Sequence, residues 1–236
     1  MKLVAHKAGN AGDVLDAAVR AGVDMIEFDV LPERSDGSGE LFLAHDYGDL
    51  KRRRDTVLTL GEGLDALCAT GLELDVDLKL PGYEDRVVAL LRERDVLDRV
   101  LVSTMEEASL RRLRERSRDV RIGWSVPRVK RDPFRSPFTA VPAYGMVQVL
   151  RRTMPRRAGR AIREGRADAI MANEHLVTPA LARAVTGAGG ELYVWTVDDP
   201  DRIEPLRALG VSAIITNKPE LFQPTIREAA VKPSLP

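Results

Sequence analysis

The chain has almost no cysteine, few aromatic residues and no excess of either charge, and each shortage closes off a class of protein. The single cysteine, Cys68, rules out an internal disulfide framework and fits a reducing compartment. It shares an apolar helical pattern with Leu64 and Leu67, so it reads as a small core residue. Aromatic residues make up 5% of the sequence, too few for a base-stacking surface, and no nucleic-acid motif is present. Thirty-six basic residues balance 36 acidic ones, so no global field draws the chain to nucleic acid or to an anionic membrane. No stretch approaches the roughly 20 apolar residues of a membrane span, and no apolar leader follows the first residues. These shortages lead to the expectation of a cytoplasmic protein without stable membrane insertion. What remains is a chain of 236 residues, 44% of them apolar, which suffices for one sizeable core.

Strand and helix patterns alternate from end to end. Short apolar runs at Lys2–His6, Met25–Val30, Leu72–Leu80, Val100–Ser103, Arg121–Ser125, Ala169–Met171, Leu192–Thr196 and Ala213–Thr216 read as strands. Helical patterns lie between them: one from Asp13 closed by Gly22, one capped by Thr59 over Leu60–Ala69, then Tyr83–Arg94, Glu106–Arg116, Pro179–Thr186, Pro200–Leu209 and Pro219–Ala229. Eight such units in this length predict an α/β protein of one domain over residues 1–230, a closed (β/α)₈ TIM barrel, with a disordered tail at 231–236. A doubly wound open sheet fits less well, because no glycine-rich fingerprint follows the first strand.

The most telling stretch is Met25-Ile26-Glu27-Phe28-Asp29-Val30. Side chains alternate across a strand, so Glu27 and Asp29 share one face while the apolar residues take the other. Buried carboxylates need a cation or a polar cavity. Leu74-Asp75-Val76-Asp77-Leu78-Lys79 repeats the pattern. Glu27, Asp29 and Asp77 fall at strand ends, on the rim where barrel enzymes do chemistry, and such a trio suits a hard divalent cation, Mg²⁺ or Ca²⁺. The alternative is a buried ion-pair layer with Lys79 and nearby arginines. Asp75 lies one layer deeper and reads as a hydrogen-bonded structural group.

His6 and His45 each follow a short apolar run and open a loop. Imidazoles titrate near neutrality, so the pair can take one proton and deliver another across a phosphate. Lys7 and Lys79 bring positive charge to the same rim, where it can bind substrate and balance charge on a phosphate. Trp195 reads either as barrel core or as a wall for an apolar or glycerol-like group, and His175 either as an ordinary loop histidine or as a contact to a leaving group. The segment from Pro127 to Arg166 is rich in proline and arginine. It reads as a solvated surface, with a lid or a contact to a lipid surface as the sharper alternative.

Together these residues resemble the glycerophosphodiester phosphodiesterase family. Gly22-Val23-Asp24-Met25-Ile26-Glu27-Phe28-Asp29-Val30 is similar to that family's "GAD-IE-DV" signature and His45-Asp46 to its "HD". Val194-Trp195-Thr196-Val197-Asp198 and Gly210–Pro219 are similar to its "WTVN" and "GVDGIITDRP" segments. The resemblance implies hydrolysis of glycerol-type phosphodiesters, with His6 and His45 as the acid–base pair, Glu27, Asp29 and Asp77 as cation ligands, and Lys79 as a site lysine. Two departures stand out. The family opens "HRG" and closes that loop with "PENT", whereas His6-Lys7-Ala8-Gly9-Asn10 is shorter, lacks the Glu and has Lys for Arg, losing bidentate phosphate binding. The third carboxylate is Asp77 in "DLK" rather than Glu in "EIK". Both features are more similar to the related phospholipase D toxins and their bacterial relatives, which implies lyase chemistry on lysophospholipids as the alternative. A poorly active substrate-binding barrel is the reading from a different class.

Overall fold

A computed structural model describes residues 1–127 and 137–221. The basic residues at 128–136, most of the helix expected over Pro219–Ala229 and the expected tail lie outside the described residues. A 3-10 turn at Pro219–Leu221 is what is described of that last helix.

Nine strands are present among the described residues. β1 (Lys2–Ala5), β2 (Met25–Pro32), β4 (Glu73–Leu78), β5 (Val100–Thr104), β6 (Arg121–Val126), β7 (Ala169–Asn173), β8 (Glu191–Trp195) and β9 (Ala213–Thr216) form a parallel sheet. That sheet closes because β1 pairs with β2 on one side and with β9 on the other. The eight expected strands are therefore the eight staves of a (β/α)₈ barrel. The ninth, β3 (Leu41–Phe42), is a short antiparallel addition to the overhanging end of β2, Leu31 facing Phe42. It turns the chain back so that His45 arrives above the barrel mouth.

The helices are α1 (Gly12–Arg20), α2 (Tyr47–Arg52), α3 (Leu60–Ala69), α4 (Glu84–Glu93), α5 (Glu107–Arg116), α6 (Pro137–Arg163), α7 (Pro179–Thr186) and α8 (Ile203–Ala208). Their starts follow local chemistry. Thr59 and Glu62 form a reciprocal capping box ahead of α3, a device that contributes about 1 kcal/mol. Thr178 caps α7 with Pro179 at its first turn, where a missing N–H costs nothing. Gly22 takes φ 68° after α1, a left-handed turn that suits glycine.

Two apolar clusters result. The larger lies between staves and helices. The smaller fills the barrel with Val4, Met25, Leu101, Ala169, Met171, Tyr193, Ala213 and Ile215. Gly123 sits inside because a Cβ there would lie 3.1 Å from Ser103 Cβ and 3.2 Å from Met171 Cγ. At the N-terminal mouth, Lys2 bonds Glu73 at 2.6 Å, Arg121 lies 3.6 Å from Glu73, and Arg121 also pairs with Glu191. These four come from alternate staves, which is how barrel interiors fill in levels.

Candidate active site

The opposite mouth collects the residues singled out above. Asp29 and Asp77 are partners across β2 and β4, so strand alternation carries both carboxylates to the same side. Oxygens of Glu27, Asp29 and Asp77 all lie within 4.8 Å of one another. Lys79, one residue past β4, reaches back to pair with both Asp29 and Asp77. The expected ion pair therefore exists, but one ammonium does not satisfy the group. Asp29 Oδ1 has the Lys79 ammonium against it, whereas Asp77 Oδ1 and, one level deeper, Asp75 Oδ1 accept no hydrogen bond.

The electrostatics follow from this crowding. Burial and the neighbouring Asp29 push the Glu27 carboxyl well above the usual range. Burial would raise Asp29 too, but the Lys79 ammonium and the His45 imidazole hold it below its ordinary value. Burial would lower Lys79, yet Asp77, Asp29 and Glu27 keep it more firmly protonated than a free lysine. Asp75 is pushed up to about 8, chiefly by burial, against the pull of a Ser103 hydrogen bond and with Asp77 adding to the rise. Four carboxylates around one cation make a site short of positive charge, and its orphaned oxygens are hard donors. The residues present fit a divalent cation with oxygen ligands.

Each histidine is held from outside the carboxylate cluster. His6 follows β1 directly, its N–H bonded to the Thr216 carbonyl at 2.8 Å. Its Nδ1 lies 2.7 Å from Asn217 Oδ1 and its Nε2 is 4.0 Å from Glu27. Burial, with Lys7 beside it, brings its pKa down to about 4. Asn217 is itself oriented, since its Nδ2 donates to Asp198 at 2.8 Å. Lys7 takes φ 55°, a left-handed turn that aims its backbone N–H at Glu27; it brings this cluster a main-chain donor, and its ammonium is near enough to disfavour protonation of His6. The following loop lies flat on β2, where a Cβ at Gly9 would come 2.7 Å from Phe28 Cβ. That contact lets buried Asn10 meet Asp29 twice, donating from Nδ2 at 2.7 Å and accepting the Asp29 N–H at 2.9 Å. His45 is more exposed, with Nδ1 3.3 Å from Asp29 Oδ2.

Trp195 stands at the end of β8, partly exposed, its indole N–H donating to the Met171 carbonyl at 2.9 Å. His175 lies on the exposed 3-10 turn after β7, with its main chain tied to Asn173 and Arg151. His6, His45, Glu27, Asp29, Asp77 and Lys79 thus form one cluster, Trp195 packs over the barrel core, and His175 occupies the outer rim. Asn10, Asn217, Asp198, Asp49 and Arg53 were not singled out from the sequence. Asn217 and Asp198 carried a signal, each lying in a segment similar to a family motif, and Asn10 closes the departing first loop; Asp49 and Arg53 carried none.

The site is thus a pair of imidazoles beside an acidic cluster at one mouth of a closed eight-stave barrel. The sequence profile described as the glycerophosphoryl diester phosphodiesterase family matches residues 61–221. The chain belongs to that family. The matched region includes Asp77, Lys79 and Trp195 but begins after His6, Glu27, Asp29 and His45, whose placement rests on the geometry above. A glycerophosphodiester phosphodiesterase of Arabidopsis thaliana, GDPD4, is 42% identical over 48 residues, which span 20% of this chain and 15% of that relative. The fold is similar to that of a glycerophosphodiester phosphodiesterase from Parabacteroides distasonis, at 17% identity and TM-score 0.71, covering 97% of this chain and 98% of that one. It is also similar to an Oleispira antarctica phosphodiesterase solved with the product sn-glycerol-3-phosphate, at 16% identity and TM-score 0.70, covering 96% and 97%. Among the described residues, no helix is long and apolar enough to cross a membrane.

Proposed function

We propose that this chain cleaves glycerophosphodiesters to glycerol phosphate and an alcohol, using a Mg²⁺ or Ca²⁺ ion on Glu27, Asp29 and Asp77. The observation that carries the reading is the placement of two imidazoles, from different loops, against one three-carboxylate cluster: His6 at 4.0 Å from Glu27 and His45 at 3.3 Å from Asp29. When bound, the cation supplies positive charge to a non-bridging phosphate oxygen.

The proton traffic follows from hydrogen-bond direction. The Asn217 amide nitrogen is committed to Asp198, so its oxygen faces His6. His6 must then carry its proton on Nδ1, leaving the Nε2 lone pair toward the cleft. That makes His6 the base that takes a proton from the attacking hydroxyl. His45 has its ring Nδ1 3.3 Å from Asp29 Oδ2, which orients the imidazole, so we assign His45 the delivery of the proton to the departing alkoxide. Lys79, and Lys7 from the first loop, balance charge that develops on the phosphate. Trp195 walls the glycerol moiety, and His175 meets the leaving group from the rim.

A second reading is a lyase that attacks with the substrate's own glycerol hydroxyl and releases a cyclic phosphate from a lysophospholipid. The compact first loop favours it. So does α6, which carries six arginines and no acidic residue and exposes Met146 and Val149 by 60% and 56%, a surface suited to an anionic lipid layer. An activity screen of glycerophosphodiesters and lysophospholipids, with and without EDTA, tests the function. Phosphorus NMR of the products separates hydrolysis from cyclisation. Substrate binding by calorimetry without turnover in either cation would instead support a binding barrel.

A further inference from the structure

We propose that Arg53 is a positioning residue that locks the two loops carrying the site to each other; the catalytic half of this inference rests on the function proposed above. Arg53 closes α2, and its guanidinium reaches both loops. Nη1 donates to the Asn10 carbonyl at 2.8 Å, and Nη2 donates to the Leu43 carbonyl at 2.6 Å. Nε and Nη2 grip Asp49 at 3.1 and 2.8 Å. The Asp49 carboxylate in turn accepts the His45 N–H at 3.3 Å. Asn10 holds Asp29 through its side chain.

One planar group therefore sets the height of His45 from two directions and seats the residue that orients Asp29. Only a fork of several fixed donors can hold two carbonyls and a carboxylate at once, so lysine cannot replace it. With a single cysteine in the chain, these loops have no covalent tie between them. Arg53 supplies a polar one, and it is partly shielded, at 26% side-chain exposure.

The test compares wild type with Arg53→Lys and Arg53→Ala. The expected result is a fall in kcat of roughly 30- to 100-fold, the scale of a displaced catalytic group, with KM changed by less than about threefold because Arg53 touches no substrate. Added guanidinium ion should restore part of kcat to Arg53→Ala, whereas a merely destabilised fold would lose further activity in it. Independent of turnover, the Asn10 side-chain amide and the His45 ring should both shift in ¹H–¹⁵N spectra of each variant while the Arg121 signals stay in place. Wild-type kcat in Arg53→Lys, or unmoved Asn10 and His45 signals, would overturn the proposal. If the wild type turned over no phosphodiester, the proposed function would fail and the spectra alone would decide the clamp.

Discussion

The two mouths of the barrel are built from the same materials and balanced in opposite ways. At the N-terminal mouth two cations, Lys2 and Arg121, meet two anions, Glu73 and Glu191, in an alternating chain of ion pairs. At the C-terminal mouth Glu27, Asp29 and Asp77, with Asp75 beneath them, face one ammonium from Lys79. The first arrangement is self-neutral and needs nothing more. The second keeps like charges together against their repulsion and leaves carboxylate oxygens without donors. Such a deficit is destabilising in a metal-free fold, and it marks the mouth to which we assign the cation and the chemistry.

The sharpest way to break this comparison is through the imidazoles. His6→Ala or His45→Ala should each lower turnover roughly 100- to 10,000-fold while leaving the thermal midpoint close to wild type. Wild-type-like rates in either variant would remove the acid–base assignment. Next comes the cation. EDTA should abolish turnover, and Mg²⁺ or Ca²⁺ at a hundredfold excess over its Kd should stabilise the fold by about 2.7 kcal/mol. Asp77→Asn should lose that stabilisation in a thermal scan, and a rise of wild-type size would show that the ion binds elsewhere.

At the other mouth the outcome should invert. Arg121→Met leaves Glu73 and Glu191 without their shared partner, and the fold should lose about 1–2 kcal/mol. This is less than for a fully buried pair, because the Arg121 side chain is 32% exposed. Denaturant titration measures the loss, and kcat should stay within about twofold of wild type. Subtlest is the pH profile of the metal-free protein. Asp75 rises from 3.8 unfolded to about 8 folded, so the folded state holds its proton more tightly. Its contribution is complete below the unfolded value and drains away as pH climbs through about 8. Asp75→Asn should flatten the fall in Tm across that window; an unchanged slope would assign the pH dependence to other groups.

The sequence was most readable where periodicity did the work. Strand alternation put Glu27 with Asp29 and Asp77 with Lys79, and eight alternating units implied the barrel, because side-chain direction on a strand is fixed by parity. It was least readable where the chain folds back over long distances. Asn10 reaches Asp29 only because the first loop lies flat on β2, and Asn217 reaches His6 only because the last stave closes on the first. Arg53 resembled its neighbours Arg52 and Arg54 in a basic run, and nothing local separates the one that turns inward. His175 and Lys7 show the converse: position after a strand placed them near the mouth without specifying what their side chains do.

The junction of β1 with β9 ties two distant parts of the chain into one device. His6 follows the first stave and Asn217, whose amide oxygen faces its Nδ1, follows the last. The acidic trio needs only β2 and β4, but the seating of His6 needs the seam between β1 and β9. Closing the barrel and orienting the imidazole proposed as the base are therefore a single event.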